Sequence, residues 1–179
     1  MRVIAGKYKG RRLKAPTWQD LRPTSDKLRE TLFNILARRI AGARVLDGYA
    51  GTGAIGIEAL SRGAAQVTFV EKNRRATALI AENLRMCGIE ADYTIHCGDV
   101  PSVLRRLDQD AIFDLVLLDP PYELPEFSAV LEAAASHLAG DGLLVLERAS
   151  RREPVVPSSL RRVRDVTSGD SALTFYEHF

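Results

Sequence analysis

The sequence has few cysteines and no long apolar run. Two of its 179 residues are cysteines, and Cys87 and Cys97 match neither a zinc spacing nor a redox pair. The three histidines are scattered, so we expect no metal site. No apolar segment approaches the roughly 20 residues of a membrane helix, and residues 1–7 lack the apolar core of a signal peptide. We therefore expect a cytoplasmic protein without disulfide, metal or membrane contact.

Charge is distributed unevenly along the chain. The net charge is +2, but residues 1–44 hold twelve basic and three acidic residues, which leaves +9 there and −7 in the remainder. A cationic segment on a mildly acidic body is typical of a protein whose one end meets a polyanion. We favour nucleic acid as that partner over a solvated basic surface. The length suits one buried core and is short for two domains.

Hydrophobic periodicity alternates between strands and helices from residue 43 onward. Strands are predicted at 43–47, 66–71, 92–96, 112–118 and 142–147, and helices at 54–62, 73–87, 102–107 and 125–138. Segments 160–166 and 171–178 flank Gly169 as a hairpin. This pattern predicts an α/β fold: a Rossmann-like, doubly wound, seven-stranded sheet, mostly parallel, with an antiparallel C-terminal edge hairpin.

Residues 1–24 form a basic extension in front of the core domain, 25–179. Short alternating runs broken by Gly6 and Gly10 predict a small β-hairpin over residues 3–13. A helix follows, with Ser25 as its N-cap and an apolar stripe from Leu28 to Ile40. The extension is too small to fold alone, so we expect it to pack on the core as part of one compact domain.

A glycine-rich loop follows the first predicted strand. Residues 51–56 match the dinucleotide-binding pattern GxGxxG, and Glu71 lies 20 residues beyond Gly51, where a carboxylate would bind ribose hydroxyls. Taken alone, this favours an NAD enzyme. The pattern is weak evidence, because glycines also serve any tight strand-to-helix turn.

Asp47 argues against a pyrophosphate at this loop. It ends the first strand, close to the helix N-terminus where phosphates would lie, and like charges would repel there. S-adenosylmethionine has no phosphate and carries a sulfonium and an ammonium, which a carboxylate attracts. Glu71 still suits its ribose. Asp99, after the third strand, could accept a hydrogen bond from the adenine amine, and a helix-cap role fits Asp99 equally well.

The tetrapeptide Asp119-Pro120-Pro121-Tyr122 follows the apolar strand 115–118. Ligands of open α/β sheets bind at the carboxyl ends of the strands. Asp119 and a prolyl carbonyl can accept the N–H bonds of an exocyclic amine, and Tyr122 can stack on a planar ring. The alternative is an ordinary strand-ending turn. Carboxylates after three other strands of the same sheet favour the ligand site.

These two loops resemble those of class I S-adenosylmethionine-dependent methyltransferases. Residues 47–53 resemble their cofactor loop, and residues 119–122 resemble their signature for methylating exocyclic or planar amine nitrogens. Blocks 2–7, 21–24, 29–34 and 56–64 are similar to RsmD-type bacterial enzymes, which methylate a guanine N2 in 16S ribosomal RNA. The similarity extends to about Glu147. Gly48-Tyr49 departs from the family pattern, in which a larger or sulfur-bearing residue precedes phenylalanine.

The resemblance implies transfer of a methyl group from S-adenosylmethionine to guanine N2, with S-adenosylhomocysteine as product. The substrate would be 16S rRNA, within a partly or fully assembled small ribosomal subunit, and we expect a monomer. The cofactor contacts would come from Asp47, Tyr49, Ala50, Gly51, Thr52, Gly53, Glu71, Lys72, Asn73, Asp99 and Val100. The target base would meet Asp119, Pro120, Pro121 and Tyr122.

The basic extension and the helix after it supply the expected contacts to RNA phosphates. These residues are Lys7, Lys9, Arg11, Arg12, Lys14, Arg22, Lys27 and Arg29. Three alternatives remain at this stage: methylation of DNA or of a protein glutamine amide, an NAD-binding oxidoreductase, and a non-catalytic RNA-binding module. A DNA enzyme usually needs a larger recognition region than this extension, and a protein-directed enzyme has less use for its charge.

Overall fold

A computed structural model describes residues 1–16, 26–121 and 127–179. Within these ranges seven strands form one sheet: β1 Arg44–Gly48, β2 Gln66–Glu71, β3 Tyr93–Cys97, β4 Phe113–Leu118, β5 Leu138–Ala149, β6 Leu160–Ser168 and β7 Ser171–His178. The helices are α1 Asp26–Ile35, α2 Ala54–Ser61, α3 Arg74–Met86, α4 Val100–Leu104 and α5 Ser128–Ala135. The strand order is β3-β2-β1-β4-β5-β7-β6.

The first five strands are parallel, and β7 runs antiparallel between β5 and β6. This confirms the predicted seven-stranded, doubly wound sheet with an antiparallel edge hairpin. Gly169 adopts a φ of 62° in the hairpin turn, a conformation that glycine reaches without steric cost. The carboxyl ends of β1, β2, β3 and β4 therefore share one edge of the sheet, where the predicted site residues follow them.

The central strand β4 is buried on both faces. Leu115 and Leu117 pack into one hydrophobic cluster together with residues of α1, α2 and α3. Val116 and Leu118 pack into a second cluster together with residues of α4 and α5. A strand covered on both faces has no solvent side, which explains why its sequence is a continuous apolar run rather than an alternating one.

Some helix ends differ from the predicted ones. The helix α4 begins at Val100 rather than at residue 102, because the Asp99 side chain accepts from Ser102 N at 3.3 Å and Pro101 is tolerated in a first turn. The helix α5 ends at Ala135, and Leu138 already belongs to β5. An apolar residue at position 138 fits the end of a helix and the start of a buried strand equally well, so its hydrophobicity does not distinguish the two.

The predicted N-terminal hairpin is reduced to a single antiparallel bridge between Arg2 and Arg12. Val3 N donates to Arg11 O at 2.9 Å, but residues 5–10 form a tight loop instead of two strands. Gly6 has a φ of 84°, and a Cβ there would lie 1.8 Å from Ser61 O. The loop is therefore shaped by its close approach to α2. Ser25 and the boundary between residues 24 and 25 lie outside the described residues.

The basic segment, residues 1–14, is nevertheless part of the core. Val3 and Leu13 are buried in the same hydrophobic cluster as Val45 of β1 and Ile57 of α2. Across the described ranges, no helix is long and apolar enough to cross a membrane.

Candidate functional site

The glycine loop between β1 and α2 turns sharply through left-handed backbone conformations. Gly51 and Gly53 have φ values of 56° and 77°, and Tyr49 has a φ of 63°. Glycine adopts this region freely, whereas a tyrosine there costs about 1–2 kcal/mol. Tyr49 thus occupies a strained position at the predicted cofactor loop, as residues at ligand sites often do.

Asp47 connects the end of β1 to α2. Its Oδ2 accepts a hydrogen bond from Gly56 N at 2.8 Å, within the first turn of the helix, where the N-cap Gly53 has no side chain to do so. Burial raises the pKa of Asp47 well above its ordinary value of 3.8, against the Gly56 bond, and the negative charges of Asp119 and Glu71 raise it further. Asp119 and Glu71 therefore lie close enough to Asp47 to affect its protonation.

Glu71 joins the end of β2 to the glycine loop. Its Oε2 accepts from Gly51 N at 3.0 Å, and its Oε1 accepts from Asn73 N at 2.8 Å. Each carboxylate oxygen has a second lone pair with which to bind a ligand hydroxyl. The predicted neighbours differ in role: Lys72 is exposed, and the Asn73 side chain caps α3 by accepting from Arg75 N at 2.9 Å.

Asp99 lies at the same edge, after β3. Its Oδ2 accepts from Ser102 Oγ at 3.0 Å as well as from Ser102 N, so the helix-cap role is present in the structure. Burial raises the pKa of Tyr49, and the charge of Asp99 raises it further, which places that ring near this carboxylate. Val100, buried behind Asp99, packs in the second hydrophobic cluster.

The packing of β4 against β1 limits the size of the residue at position 48. A Cβ at Gly48 would lie 2.6 Å from Leu118 Cδ2, so the Leu118 side chain occupies the space that a larger residue at position 48 would need. Gly48 departs from the family pattern, and the position of Leu118 is consistent with the smaller residue. Gly56 is constrained in the same way, because a Cβ there would lie 2.2 Å from Phe69 Cε1.

The tetrapeptide that follows β4 continues the strand pairing for one residue. Asp119 N donates to Gly48 O at 3.2 Å, which holds Asp119 beside the glycine loop. Asp119 is half-buried, Pro120 is buried and Pro121 is exposed. Tyr122 lies outside the described residues. Ala50 and Thr52 complete the loop: Gly53 N donates to Ala50 O at 2.7 Å, and Thr52 is buried.

The predicted RNA contacts of the basic segment are exposed but lie to one side of this edge. Lys7 N donates to Ser61 O at 2.7 Å, at the far end of α2 from the glycine loop, about 12 Å along an eight-residue helix. Arg11 Nη1 donates to Cys87 O at 2.6 Å, just beyond α3. The exposed bases there are Lys7, Lys9, Arg11, Arg12 and Lys14, and Lys27 is exposed on α1.

The prediction that Arg29 contacts RNA is wrong. Its side chain is 0% exposed, and its Nη2 donates to Arg2 O at 2.6 Å and to Asp26 Oδ1 at 2.9 Å. Burial lowers its pKa. A phosphate cannot reach this guanidinium, so Arg29 anchors the basic segment on α1 instead of binding RNA. Arg22, also predicted as an RNA contact, lies outside the described residues.

A group of buried polar side chains in the second half of α2, away from the glycine loop, was not predicted from the sequence. Glu58 accepts from Ile4 N at 2.7 Å and from Ala5 N at 3.0 Å, and Ser61 Oγ accepts from Tyr8 N at 3.0 Å. A signal was present, because Glu58 interrupts the otherwise apolar face of α2. Within residues 1–16, 26–121 and 127–179, no cluster of histidine, cysteine, aspartate or glutamate could hold a metal ion.

A family model described as conserved hypothetical protein 95 matches residues 1–177. The chain belongs to this family. Curated relatives of this chain include the ribosomal RNA small subunit methyltransferases D of Haemophilus influenzae and of Escherichia coli K12. The first is 32% identical, covering 99% of this chain and 94% of the relative. The second is 33% identical, with 99% and 89% covered.

Solved structures show the same fold at similar identity. The structure of the putative methyltransferase yhhF from Escherichia coli is 32% identical to this chain, with a TM-score of 0.86 over 99% of this chain and 97% of the other. The chain thus shares an α/β methyltransferase fold across nearly its whole length.

Proposed function

We propose that this protein transfers a methyl group from S-adenosylmethionine to the exocyclic N2 amine of a guanine in 16S ribosomal RNA, in the cytoplasm. The observation that supports this proposal is that Asp47, Glu71 and Asp119 lie at or just after the carboxyl ends of three different strands, beside one glycine loop. The names of the curated relatives support small-subunit ribosomal RNA as the substrate. The choice of guanine N2 rests on the resemblance of residues 119–122 and the blocks around them.

The residues present fit this cofactor better than a dinucleotide. Burial and two neighbouring carboxylates raise the pKa of Asp47, so positive charge in the site would stabilise its ionised form. A sulfonium and an ammonium would supply that charge, whereas a pyrophosphate would add to the repulsion. Asp47 and the loop 49–53 would hold the cationic end, Glu71 the ribose, and Asp99 with Val100 the adenine.

Asp119 and the Pro120 carbonyl act on the target amine. A guanine amino group is a poor nucleophile because its lone pair is delocalised into the ring. Two acceptors that take both N–H bonds turn the nitrogen out of conjugation and aim its lone pair, which is catalysis by orientation and electrostatics. S-adenosylmethionine supplies the methyl group. The amine proton leaves afterwards to Asp119 or to water.

The base must leave its stack to reach this edge, since a guanine inside a helix cannot enter a pocket next to Asp119. Tyr122 would hold the extruded base by stacking, worth about 1–3 kcal/mol. The rigid Pro120-Pro121 pair would fix the distance between the carboxylate and the ring.

The direct test incubates the protein with tritiated S-adenosylmethionine and with small ribosomal subunits from cells that lack it. We expect label in 16S RNA as a methylguanosine. Label in DNA or in a protein glutamine instead would support the alternative substrates. Calorimetry with S-adenosylmethionine and with NAD tests the alternative of an NAD-binding oxidoreductase, because binding of NAD alone would identify a dinucleotide enzyme.

Cofactor binding should depend on pH through Asp47. Its pKa is raised in the free protein, and a bound cation favours the ionised carboxylate, so binding should release a proton. Affinity for S-adenosylmethionine should therefore rise with pH above the ordinary value of 3.8 and level off once Asp47 is ionised in the free protein. Calorimetry in buffers of different ionisation enthalpy measures the released proton. An affinity that falls over this range would contradict the role of Asp47.

The basic segment should contribute to RNA affinity by neutralising phosphates. Replacing Lys7 and Lys9 with alanine should reduce the slope of log affinity against log salt by about 0.7–0.9 for each phosphate that is no longer neutralised. The double replacement of Arg38 and Arg39 removes the same charge from exposed positions after α1 and serves as the control. Filter binding to small subunits at several salt concentrations measures both slopes. Equal changes in the two variants would indicate a general charge effect.

A further inference from the structure

Asn83 lies on the inward face of α3, with a relative exposure of 0%. Its Oδ1 accepts from Lys14 N at 2.8 Å, and its Nδ2 donates to Lys14 O at 3.2 Å and to Thr52 O at 3.0 Å. All three partners are backbone groups. This pattern needs an acceptor and two donors on one short side chain, which asparagine provides.

The two segments that Asn83 joins are the glycine loop and the basic segment. Thr52 stands at the centre of the loop, between the glycines with left-handed backbone. Lys14 lies at the end of the basic segment. A second contact connects the same two regions, because Thr52 Oγ1 lies 3.9 Å from Met1 Sδ as a hydrogen bond donor. Both ends of the basic segment therefore meet the loop, while its middle is held at Ser61 on the far end of α2.

We infer that Asn83 is a positioning residue that couples cofactor binding at the glycine loop to the position of the Lys14 backbone in the basic segment, and so to RNA binding. The inference rests on the proposed function, which supplies the two ligands. A cofactor that orders the loop fixes the Thr52 carbonyl, and the shared amide then restrains the Lys14 backbone. This added restraint on Lys14 reduces the conformational entropy that RNA binding would otherwise remove, which makes the two binding events cooperative without a large movement.

Coupling of this kind is reciprocal, so RNA must strengthen cofactor binding by the same factor. Couplings between two sites commonly fall between about 5-fold and 150-fold, and we expect the lower end here because one side chain carries the link. The buried setting matters, because an amide that water cannot reach has no alternative partners for its donors.

Hydrogen exchange with S-adenosylhomocysteine as the probe tests the link without RNA. In the wild-type protein, saturating S-adenosylhomocysteine should slow exchange of the Lys14 amide by about 5-fold or more. Binding in calorimetry without this protection would overturn the coupling alone. Absence of binding would overturn the proposed function, and the coupling with it. The wild-type measurement decides between these outcomes even where a variant does not fold.

Two variants test the role of the side-chain amide of Asn83. Asn83→Asp keeps an acceptor for Lys14 N but removes the donors to Thr52 O and Lys14 O, and it should abolish the protection. Glu82→Ala is the matched control, because it removes the pair between Glu82 and Lys14 Nζ from the same helix and the same partner residue without touching the loop. It should retain the protection. Thermal unfolding of each variant verifies that it is folded.

The second readout is affinity for purified small ribosomal subunits, with and without S-adenosylhomocysteine. We expect the wild-type protein and Glu82→Ala to bind about 5-fold more tightly with it, and Asn83→Asp to bind equally in both conditions. The assignment to Asn83 would be overturned if Asn83→Asp kept the wild-type ratio of affinities with and without S-adenosylhomocysteine. It would also be overturned if Glu82→Ala reduced this ratio as much as Asn83→Asp.

Discussion

Replacing Asp119 with alanine should slow methyl transfer by about 10²–10³-fold, while affinity for S-adenosylmethionine stays within about twofold. Asp119 follows β4 and is held beside the glycine loop by the bond from its own N–H to Gly48 O. In the proposed mechanism it contacts the amine of the base and not the cofactor. Its loss therefore removes an interaction used in the transition state and spares the binding of the methyl donor.

Single-turnover transfer of tritiated methyl groups to small subunits measures this effect, and calorimetry measures the affinity. Asp119→Asn retains one acceptor oxygen without the charge, so its rate should fall between the two. Asp110→Ala removes an exposed carboxylate that precedes β4 at the opposite edge of the sheet and should be neutral. A near-normal rate of methyl transfer by Asp119→Ala would contradict the proposed mechanism.

Replacing Glu58 with alanine should lower the free energy of unfolding by about 3–5 kcal/mol, the usual cost of removing one partner of a buried charged network. Glu58 is 0% exposed and accepts from two backbone N–H groups of the basic segment and from Arg62 Nε at 2.7 Å. Without it these donors lose their acceptor, and the segment loses two of its hydrogen bonds to α2.

Urea denaturation followed by circular dichroism measures the change. Glu58→Gln keeps one acceptor oxygen and should lose less. Glu82→Ala breaks the partly exposed pair with Lys14 and should cost less than about 1 kcal/mol. If Glu58→Ala lost no more than Glu82→Ala, the attachment of the basic segment would have to lie elsewhere.

Much of the fold follows from local patterns. The strand β2 has the predicted bounds, because β-branched and aromatic residues fill positions 67–70, Gly63 precedes them and polar residues follow them. The meeting of Asp47, Glu71 and Asp119 at one edge also follows from sequence. Each carboxylate ends or follows a strand, and parallel strands bring their carboxyl ends together. That these residues bind the cofactor and the base stays a prediction.

The roles of individual basic and polar residues could not be predicted in this way. Arg29 was expected to bind RNA because it is one of many bases near the N-terminus, yet it is buried against Arg2 O and Asp26. The N-terminal hairpin is limited to one bridge between Arg2 and Arg12, and the close approach of Gly6 to the end of α2 shapes the loop between them. Neither contact leaves a trace in periodicity or in spacing.

The sequence by itself determined the order of strands and helices, the glycine loop and the edge at which its carboxylates lie, because periodicity and parallel pairing depend on residues close together in the chain. Only the tertiary structure decided which polar side chains are buried and what they join. Asn83 bonds to residues 31 and 69 positions away, and Glu58 to residues 53 and 54 positions away. Such contacts depend on how distant segments pack, and no local pattern specifies that packing.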